Sequence, residues 1–341
     1  MKTESLCIRA SVSSGETVDL GRRRFAAAAA ACCATAGWSL PAAAQTYPAK
    51  AVEVIVPVSA GGGTDVVGRA FTEAVRRHFP QQPFIVVNKP GASGAIGMGE
   101  VVNAKPDGYK LGILISELTI LPHLGTIKFS LEDFTPIARL NADPSAITVS
   151  ANAPWNTLGE LLAHVRKNPG ELKMGNGGQG SIWHLAAASL EDKAQVKFNN
   201  VPFSGSAPAV ISLLGGHVDA LAVSPGEVSQ HVAAGKLKTL AIMADQRWGG
   251  MFEKVPTLKE SGIDLSVGVW RGLAAPKNTP REVVDLLREV ARKATADEGF
   301  RETLSKSNLG WAYADAAEFR ATMLRDNTAF QQLIPKLQLK T

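Results

Sequence analysis

Ser59-Ala60-Gly61-Gly62-Gly63-Thr64-Asp65 stands between an apolar run, Val52-Glu53-Val54-Ile55-Val56-Pro57-Val58, and a segment carrying Val67, Ala70, Phe71, Ala74, Val75 and Phe79 at helical spacing. The run predicts a buried strand and the segment an amphipathic helix. A strand, a glycine-rich turn and a helix start form a cup of free backbone N–H groups, and the helix dipole adds partial positive charge there. Glycine lets a ligand approach that backbone with no Cβ in the way. The cup has neither Lys nor Arg, so it is not a Walker phosphate loop, which needs its lysine. The alternative is an ordinary strand-to-helix turn capped by Thr64.

Two further helix starts have the same character. Gly175-Asn176-Gly177-Gly178-Gln179-Gly180-Ser181 precedes a helix with Leu185, Ala188 and Ser189. Val201-Pro202-Phe203-Ser204-Gly205-Ser206 opens another, with Pro208 in its first turn and Val210, Ile211, Leu213 and Leu214 inside. Each start offers unsatisfied N–H groups and a hydroxyl. A small anion held without a formal cation is the natural ligand of such a set. Ordinary capping accounts for any one of them alone.

Outward from these loops, strand-like and helix-like runs alternate to the end of the chain. Phe84–Val87, Leu111–Ile115, Ala146–Val149, Val218–Val223 and Thr239–Met243 read as strands. Thr157 with Glu160, Thr279 with Glu282 and Asp315 with Glu318 read as capping boxes, the second with Pro280 at the first helical position. The alternation predicts an α/β fold with mostly parallel sheets. Two proline-marked regions, Asn141-Ala142-Asp143-Pro144 and Gly262 to Pro276, are candidate domain crossings. They divide the chain into one lobe at 45–145 and 268–341 and a second at 146–267.

The first 44 residues read as an export signal. Arg22-Arg23-Arg24-Phe25 is a basic region, Ala26 to Ala36 a short apolar stretch, and Ala42-Ala43-Ala44 before Gln45 a small-residue cleavage site. The paired arginines also resemble an incomplete twin-arginine signal. All three cysteines, Cys7, Cys32 and Cys33, lie in this segment. The remainder therefore has no disulfide, thiol nucleophile or cysteine metal site. Its formal charge is about +3 (31 basic against 28 acidic residues), a balance that argues against nucleic acid as a partner. The histidines show no metal spacing, and neither a metal nor a cofactor is expected. Gly91-Ala92-Ser93-Gly94-Ala95-Ile96-Gly97 has the wrong glycine spacing for a dinucleotide fingerprint and reads as a packed turn.

From Tyr47 to about Leu333 the chain resembles the Bug, or TctC, family of solute-binding receptors of tripartite tricarboxylate transporters. The matching segments include Ile55-Val56-Pro57 with Gly61–Asp65, Asn88-Lys89-Pro90-Gly91-Ala92-Ser93-Gly94, Pro106-Asp107-Gly108-Tyr109, Asp133–Ile137, Val201-Pro202-Phe203 with Gly205–Ala209, and Gly215–Asp219. The resemblance implies a two-lobed Venus-flytrap periplasmic binding protein of type II-like architecture. It implies a monomer that clamps a small carboxylate or amino-acid-like ligand and serves membrane permease subunits from the periplasm. Carried onto this chain, the ligand contacts would be Ser59, Gly62, Gly63, Thr64 and Asp65 from one lobe. The other lobe would supply Gly180, Ser181, Ser204, Gly205, Ser206, Ala207 and Asp219.

Asp219 is the odd member, because a carboxylate beside a bound carboxylate repels it. It either takes an amino or hydroxyl group or orders the neighbouring loop. The chain departs from the family at Ser116-Glu117-Leu118-Thr119-Ile120-Leu121-Pro122-His123. Glu117 follows a strand end and either is a solvated loop carboxylate or pairs with a cationic group of the ligand. Phe203 stands where many members carry Tyr. His184, one turn into its helix, is either a donor to the ligand or a packed residue. Two rival functions are a sensor for a membrane kinase and an exported hydrolase. The second would rest on Ser181 with His184, without a Gly-x-Ser-x-Gly elbow.

Overall fold

The computed structural model describes residues 47–80 and 83–337; the expected export segment lies outside them. Among the described residues ten strands form one sheet: β1 (Val52–Val56), β2 (Phe84–Asn88), β3 (Lys110–Ile115), β4 (Phe134–Ser150), β5 (Lys173–Asn176), β6 (Asn199–Pro202), β7 (Ala220–Val223), β8 (Leu237–Met243), β9 (Gly268–Pro276) and β10 (Trp311–Ala314). Their order is β2-β1-β3-β9-β4-β7-β5-β6, with β8 and β10 also paired to β4. Among the described residues nine helices cover it: α1 (Gly63–His78), α2 (Ala95–Val102), α3 (Leu158–Lys167), α4 (Ile182–Ala194), α5 (Ser206–Leu214), α6 (Pro225–Ala233), α7 (Arg281–Ala296), α8 (Glu298–Lys306) and α9 (Ala316–Leu337). Among the described residues none is long and apolar enough to cross a membrane.

The α/β fold is as expected, but the sheet is mixed rather than mostly parallel. β1 runs parallel to β2 and β3, and β5 to β6 and β7. β4 and β9 run antiparallel to each other, β3 runs antiparallel to β9, and β7, β8 and β10 all run antiparallel to β4. The long strand β4 is the spine. Its first part pairs with β9 from Phe134↔Pro276 to Pro144↔Gly268, and its second part with β7 from Ala146↔Val223. The two proline-marked regions are thus largely strand: Asn141–Pro144 lies inside β4, and Gly268–Pro276 is β9. Pro144 is tolerated because it falls where β4 changes partner, at the end of a ladder.

Each half of the sheet is covered on both faces. In the first half, α1 and α7 bury Val67, Phe71, Val75 and Leu287 against Val54 and Ile113. The opposite face takes Met98 of α2 and Phe319 and Met323 of α9 against Ile55, Leu114 and Trp270. In the second half, Leu161 and Val165 of α3 and Leu190 of α4 pack on Ile147 and Met174. Val210 and Leu213 of α5 and Val228 of α6 pack on Leu221 and Val223. The α1 face matches the sequence period, with Val67, Ala70, Phe71, Ala74 and Val75 all buried.

Of the three expected capping boxes, two form as side-chain caps, and at Thr157 the Glu160 carboxylate takes the Asn156 N–H in place of the reciprocal bond. The Thr157 hydroxyl accepts from the Glu160 N–H at 3.2 Å, and Asp315 accepts from Ala317 and Glu318 at 2.9 Å each. The third does not: Thr279 donates its hydroxyl to Pro276 O at 2.8 Å, and α7 starts with Pro280 at its cap and no side-chain cap bond. The Pro276 carbonyl captures Thr279 before the helix starts.

Candidate functional site

The C-terminal ends of β1, β3, β5, β6 and β7 point to one place, where pockets form in α/β sheets. The cavity there is lined by Pro57, Val58 and Ser59 after β1, Ile115 and Glu117 at and after β3, and Gly177 after β5. Ser204, Gly205 and Ser206 line it after β6, and Glu227 after β7. Gly62, Gly63 and Thr64 at the start of α1, Ser93 and Gly94, Trp183, and Val269 and Arg271 of β9 complete it. Two helix N-termini, those of α1 and α5, therefore border a single cavity and give it partial positive charge. Both begin after a glycine, Gly62 and Gly205, with no side-chain cap bond. Gly205 has φ +141°, a conformation that side chains rarely adopt.

One buried arginine organises the site. Arg271 is 1% exposed. Its Nε donates to Thr64 Oγ1 at 2.7 Å, its Nη1 to Asn141 Oδ1 at 2.5 Å and to Asp143, and its Nη2 pairs with Glu227 Oε1 at 3.3 Å. Asp143 is held by the Gly310 N–H at 2.6 Å and by Asn141 Nδ2 at 3.1 Å. Glu227 reaches from α6 to the glycine cup, where its Oε2 accepts from the Gly63 N–H at 2.8 Å. Burial pushes the Glu227 carboxyl up, against the opposing pull of Arg271 and the Gly63 N–H. At Gly63 the requirement for glycine is one of space, whereas at Gly61, with φ +85°, it is one of conformation. A Cβ on Gly63 would lie 2.9 Å from Glu227 Oε1 and 3.0 Å from Arg271 Nη2.

Glu117 crosses in the opposite direction. It sits in a 3-10 turn, Ser116–Thr119, after β3, and its Oε1 accepts from the N–H of Ile182, the first residue of α4, at 2.9 Å. It is only 4% exposed, so it is not a solvated loop residue. Its Oε2 is buried and has no hydrogen-bond partner among the described residues. Burial pushes its carboxyl up to about 7, opposed by its backbone N–H bonds and by Arg271. Two hydroxyl contacts accompany these carboxylates: Ser59 Oγ donates to Ser204 O at 3.0 Å, and Ser93 Oγ donates to Gln179 O.

Eight of the residues expected at the site line this cavity: Ser59, Gly62, Gly63, Thr64, Glu117, Ser204, Gly205 and Ser206. Seven do not. Asp65 is turned back into its own loop, accepting from Gly61 N, Arg69 Nε and Asn88 Nδ2 at 2.9–3.0 Å. Burial raises its carboxyl, but those bonds outweigh burial and hold it below the usual range. Ser116 Oγ accepts from the Trp270 N–H at 2.9 Å. Ser181 caps α4, its Oγ accepting from the His184 N–H at 3.2 Å. His184 Nδ1 accepts from the Gly180 N–H at 3.2 Å, and burial holds the ring below the usual histidine range. Ser181 and His184 thus join through backbone, not as hydroxyl and base. Gly180 faces Leu124 and Leu121, and Ala207 follows Ser206 in the first turn of α5, its N 3.9 Å from where a Cβ on Gly62 would lie. Asp219 is exposed at the N-terminal end of β7, where it accepts from the Lys173 N–H at 2.8 Å. Strand direction puts it at the far end from the cavity, and it orders the β5–β7 edge.

Sequence reasoning passed over Arg271, Glu227, Ser93 and Trp183. The signal for Arg271 was present: a lone charge inside Gly268-Val269-Trp270-Arg271-Gly272-Leu273-Ala274-Ala275, an otherwise apolar strand. Glu227 carried none, since an acid in a first helical turn is ordinary. Among the described residues no group of three or more His, Cys, Asp or Glu is placed to hold a metal.

Comparison with known proteins gives the same picture. The model of the tripartite tricarboxylate transporter family receptor, TctC, matches residues 67–339. A solved TctC solute-binding protein from Polaromonas, described as without ligand, is 54% identical, covering 85% of this chain and 100% of that one, with a TM-score of 0.64. BugT of Bordetella pertussis is 32% identical over 266 residues, 76% of this chain and 81% of BugT. MatC from Rhodopseudomonas palustris, solved with bound malate, is 26% identical, covering 84% of this chain and 100% of MatC, with a TM-score of 0.78.

Proposed function

The chain belongs to the tripartite tricarboxylate transporter receptor family, and from that premise we propose that it captures a small carboxylate in the cavity between two lobes and delivers it to permease subunits of a tripartite transporter. The lobes are 45–145 with 268–341, and 146–267. The observation that carries this function is the convergence of the α1 and α5 N-termini on one cavity. N–H groups and aligned dipoles at helix starts bind carboxylate without a counter-cation; at α1 the Gly63 N–H is already taken by Glu227, and α5 has no side-chain cap bond. The change of β4 partners at Ser145 supports the lobe boundaries, and MatC supports a dicarboxylate-sized ligand. The Polaromonas relative superposes less well than MatC despite twice the identity. A rotation of one lobe against the other lowers superposition in this way while leaving each lobe intact.

The family is one of periplasmic solute receptors, not of enzymes. The backbone-mediated Ser181–His184 contact supports the same reading here. For this chain we take the periplasm as the site of action, after cleavage near Ala44–Gln45, and a monomer as the working state. Thermal-shift and calorimetric titration of the purified protein with mono-, di- and tricarboxylates tests the function. At least one of them should bind with micromolar or tighter affinity and raise the melting temperature. If none binds, the carboxylate-receptor function is wrong.

A further inference from the structure

Arg271 is the one cationic side chain among the described residues lining the cavity. It is already engaged by Thr64, Asn141, Asp143 and Glu227. Two carboxylates, Glu117 and Glu227, line the same cavity. Glu227 has Arg271 and the Gly63 N–H. Glu117 Oε1 accepts from the Ile182 N–H, and its buried Oε2 has no hydrogen-bond partner among the described residues. A buried carboxylate oxygen with no donor is costly. A second ligand carboxylate placed beside it would add like charge with no free cation to offset it.

We propose that Glu117, backed by Glu227, makes this cavity selective for a carboxylate that also carries an ammonium group, an amino-acid-like zwitterion rather than a plain di- or tricarboxylate. The ligand carboxylate takes the α5 start at Ser206 and the part of the α1 start that Glu227 does not hold, and the ammonium donates to Glu117 Oε2. The inference rests on the carboxylate-receptor function above and deepens it. Without a ligand, burial favours a proton on Glu117; the bound ammonium takes that proton's place, and Glu117 is then ionised.

The test is calorimetry on matched pairs that differ by the amino group: succinate and aspartate, glutarate and glutamate, propionate and alanine. In the tightest pair the amino member should bind at least tenfold more tightly than its plain partner. Glu117→Gln should remove that preference, weakening the amino member at least tenfold while its plain partner binds no more weakly than to the wild type. Its amide still accepts from Ile182, and circular dichroism checks the fold; the wild-type pairs decide the matter even if the variant fails to fold. Plain members binding as tightly as, or more tightly than, their amino partners in every pair that binds would overturn the inference and leave the receptor function standing. That pattern, retained in Glu117→Gln, would mean that Glu117 acts as a neutral donor to a ligand oxygen. If no member of any pair binds and the carboxylate panel is also silent, the receptor function falls and the inference with it. If the panel finds only plain carboxylates, the inference alone falls.

Discussion

The Gly63 N–H donates to the Glu227 carboxylate at 2.8 Å, across a sequence separation of 164 residues. A helix start that is built to hold an anion already holds one, supplied by the other half of the molecule. Glu117 does the reverse, reaching from the first half to the Ile182 N–H at the start of α4. Each half thus lends a carboxylate to a helix N-terminus of the other, and the cavity lies between the two contacts.

Gly63→Val should weaken carboxylate binding by at least tenfold, about 1.4 kcal/mol. The new side chain would meet Glu227, Arg271 and Leu309 within 3.2 Å. The overpacking should also cost about 1–3 kcal/mol of stability. Calorimetry gives the first quantity and urea denaturation the second. Unchanged affinity in a folded variant would mean that the cup is only a turn.

Arg271→Met should be far more costly, about 3–5 kcal/mol, because it leaves Asp143 and Glu227 buried without their cation. Adding Asp143→Asn to that variant should restore part of the loss. Urea denaturation of the single and double variants measures both, and a loss below about 1 kcal/mol in the single variant would show that the network does not hold the halves together.

Glu117 should make stability depend on pH in a definite direction. Its folded-state carboxyl is raised from 4.5 to about 7, so the fold binds the proton more tightly than the unfolded chain does. The stability it contributes is complete below pH 4.5 and is lost as pH rises through about 7. Arg271 and Glu227 are the charged groups that share its cavity. Relative to Glu117→Gln, the wild type should lose about 2 kcal/mol between about pH 5 and pH 8. Parallel pH profiles for the two proteins would refute this.

Asp219→Asn should leave ligand affinity within about twofold and cost no more than about 1.5 kcal/mol of stability, the range of one hydrogen bond. Its contact is with the Lys173 N–H at the far end of the strands. A tenfold loss of affinity, measured by calorimetry, would return Asp219 to the site.

The local features read correctly from sequence are those that contiguous residues determine. The apolar period of Val67 to Val75, the Asp315 cap and the glycine loops before α1 and α5 need no distant partner. The readings that failed each turned on a partner elsewhere. Asn141–Pro144 read as a candidate domain crossing, and its being strand rather than open chain depends on partners elsewhere: Asn141 and Asp143 are buried on Arg271. Thr279 looked like a cap, but the Pro276 carbonyl takes its hydroxyl. Asp219 was carried onto the site by the family resemblance, and strand direction puts it at the far end from the cavity.

By itself the sequence determined the α/β alternation, the position of the anion-binding cup and the family to which the chain belongs. Hydrophobic period, turn chemistry and unsatisfied N–H groups at helix starts are local properties of the chain. The tertiary structure decided the charge of the site. Thr64, Asp143 and Arg271 lie 128 and 207 residues apart in their pairings, and only the order of strands in the sheet brings them together. Whether Glu117 is a solvated surface acid or a buried one with an unpartnered oxygen depends on what packs over it. Burial is a property of the whole fold, and burial is what turns a carboxylate into a determinant of ligand charge.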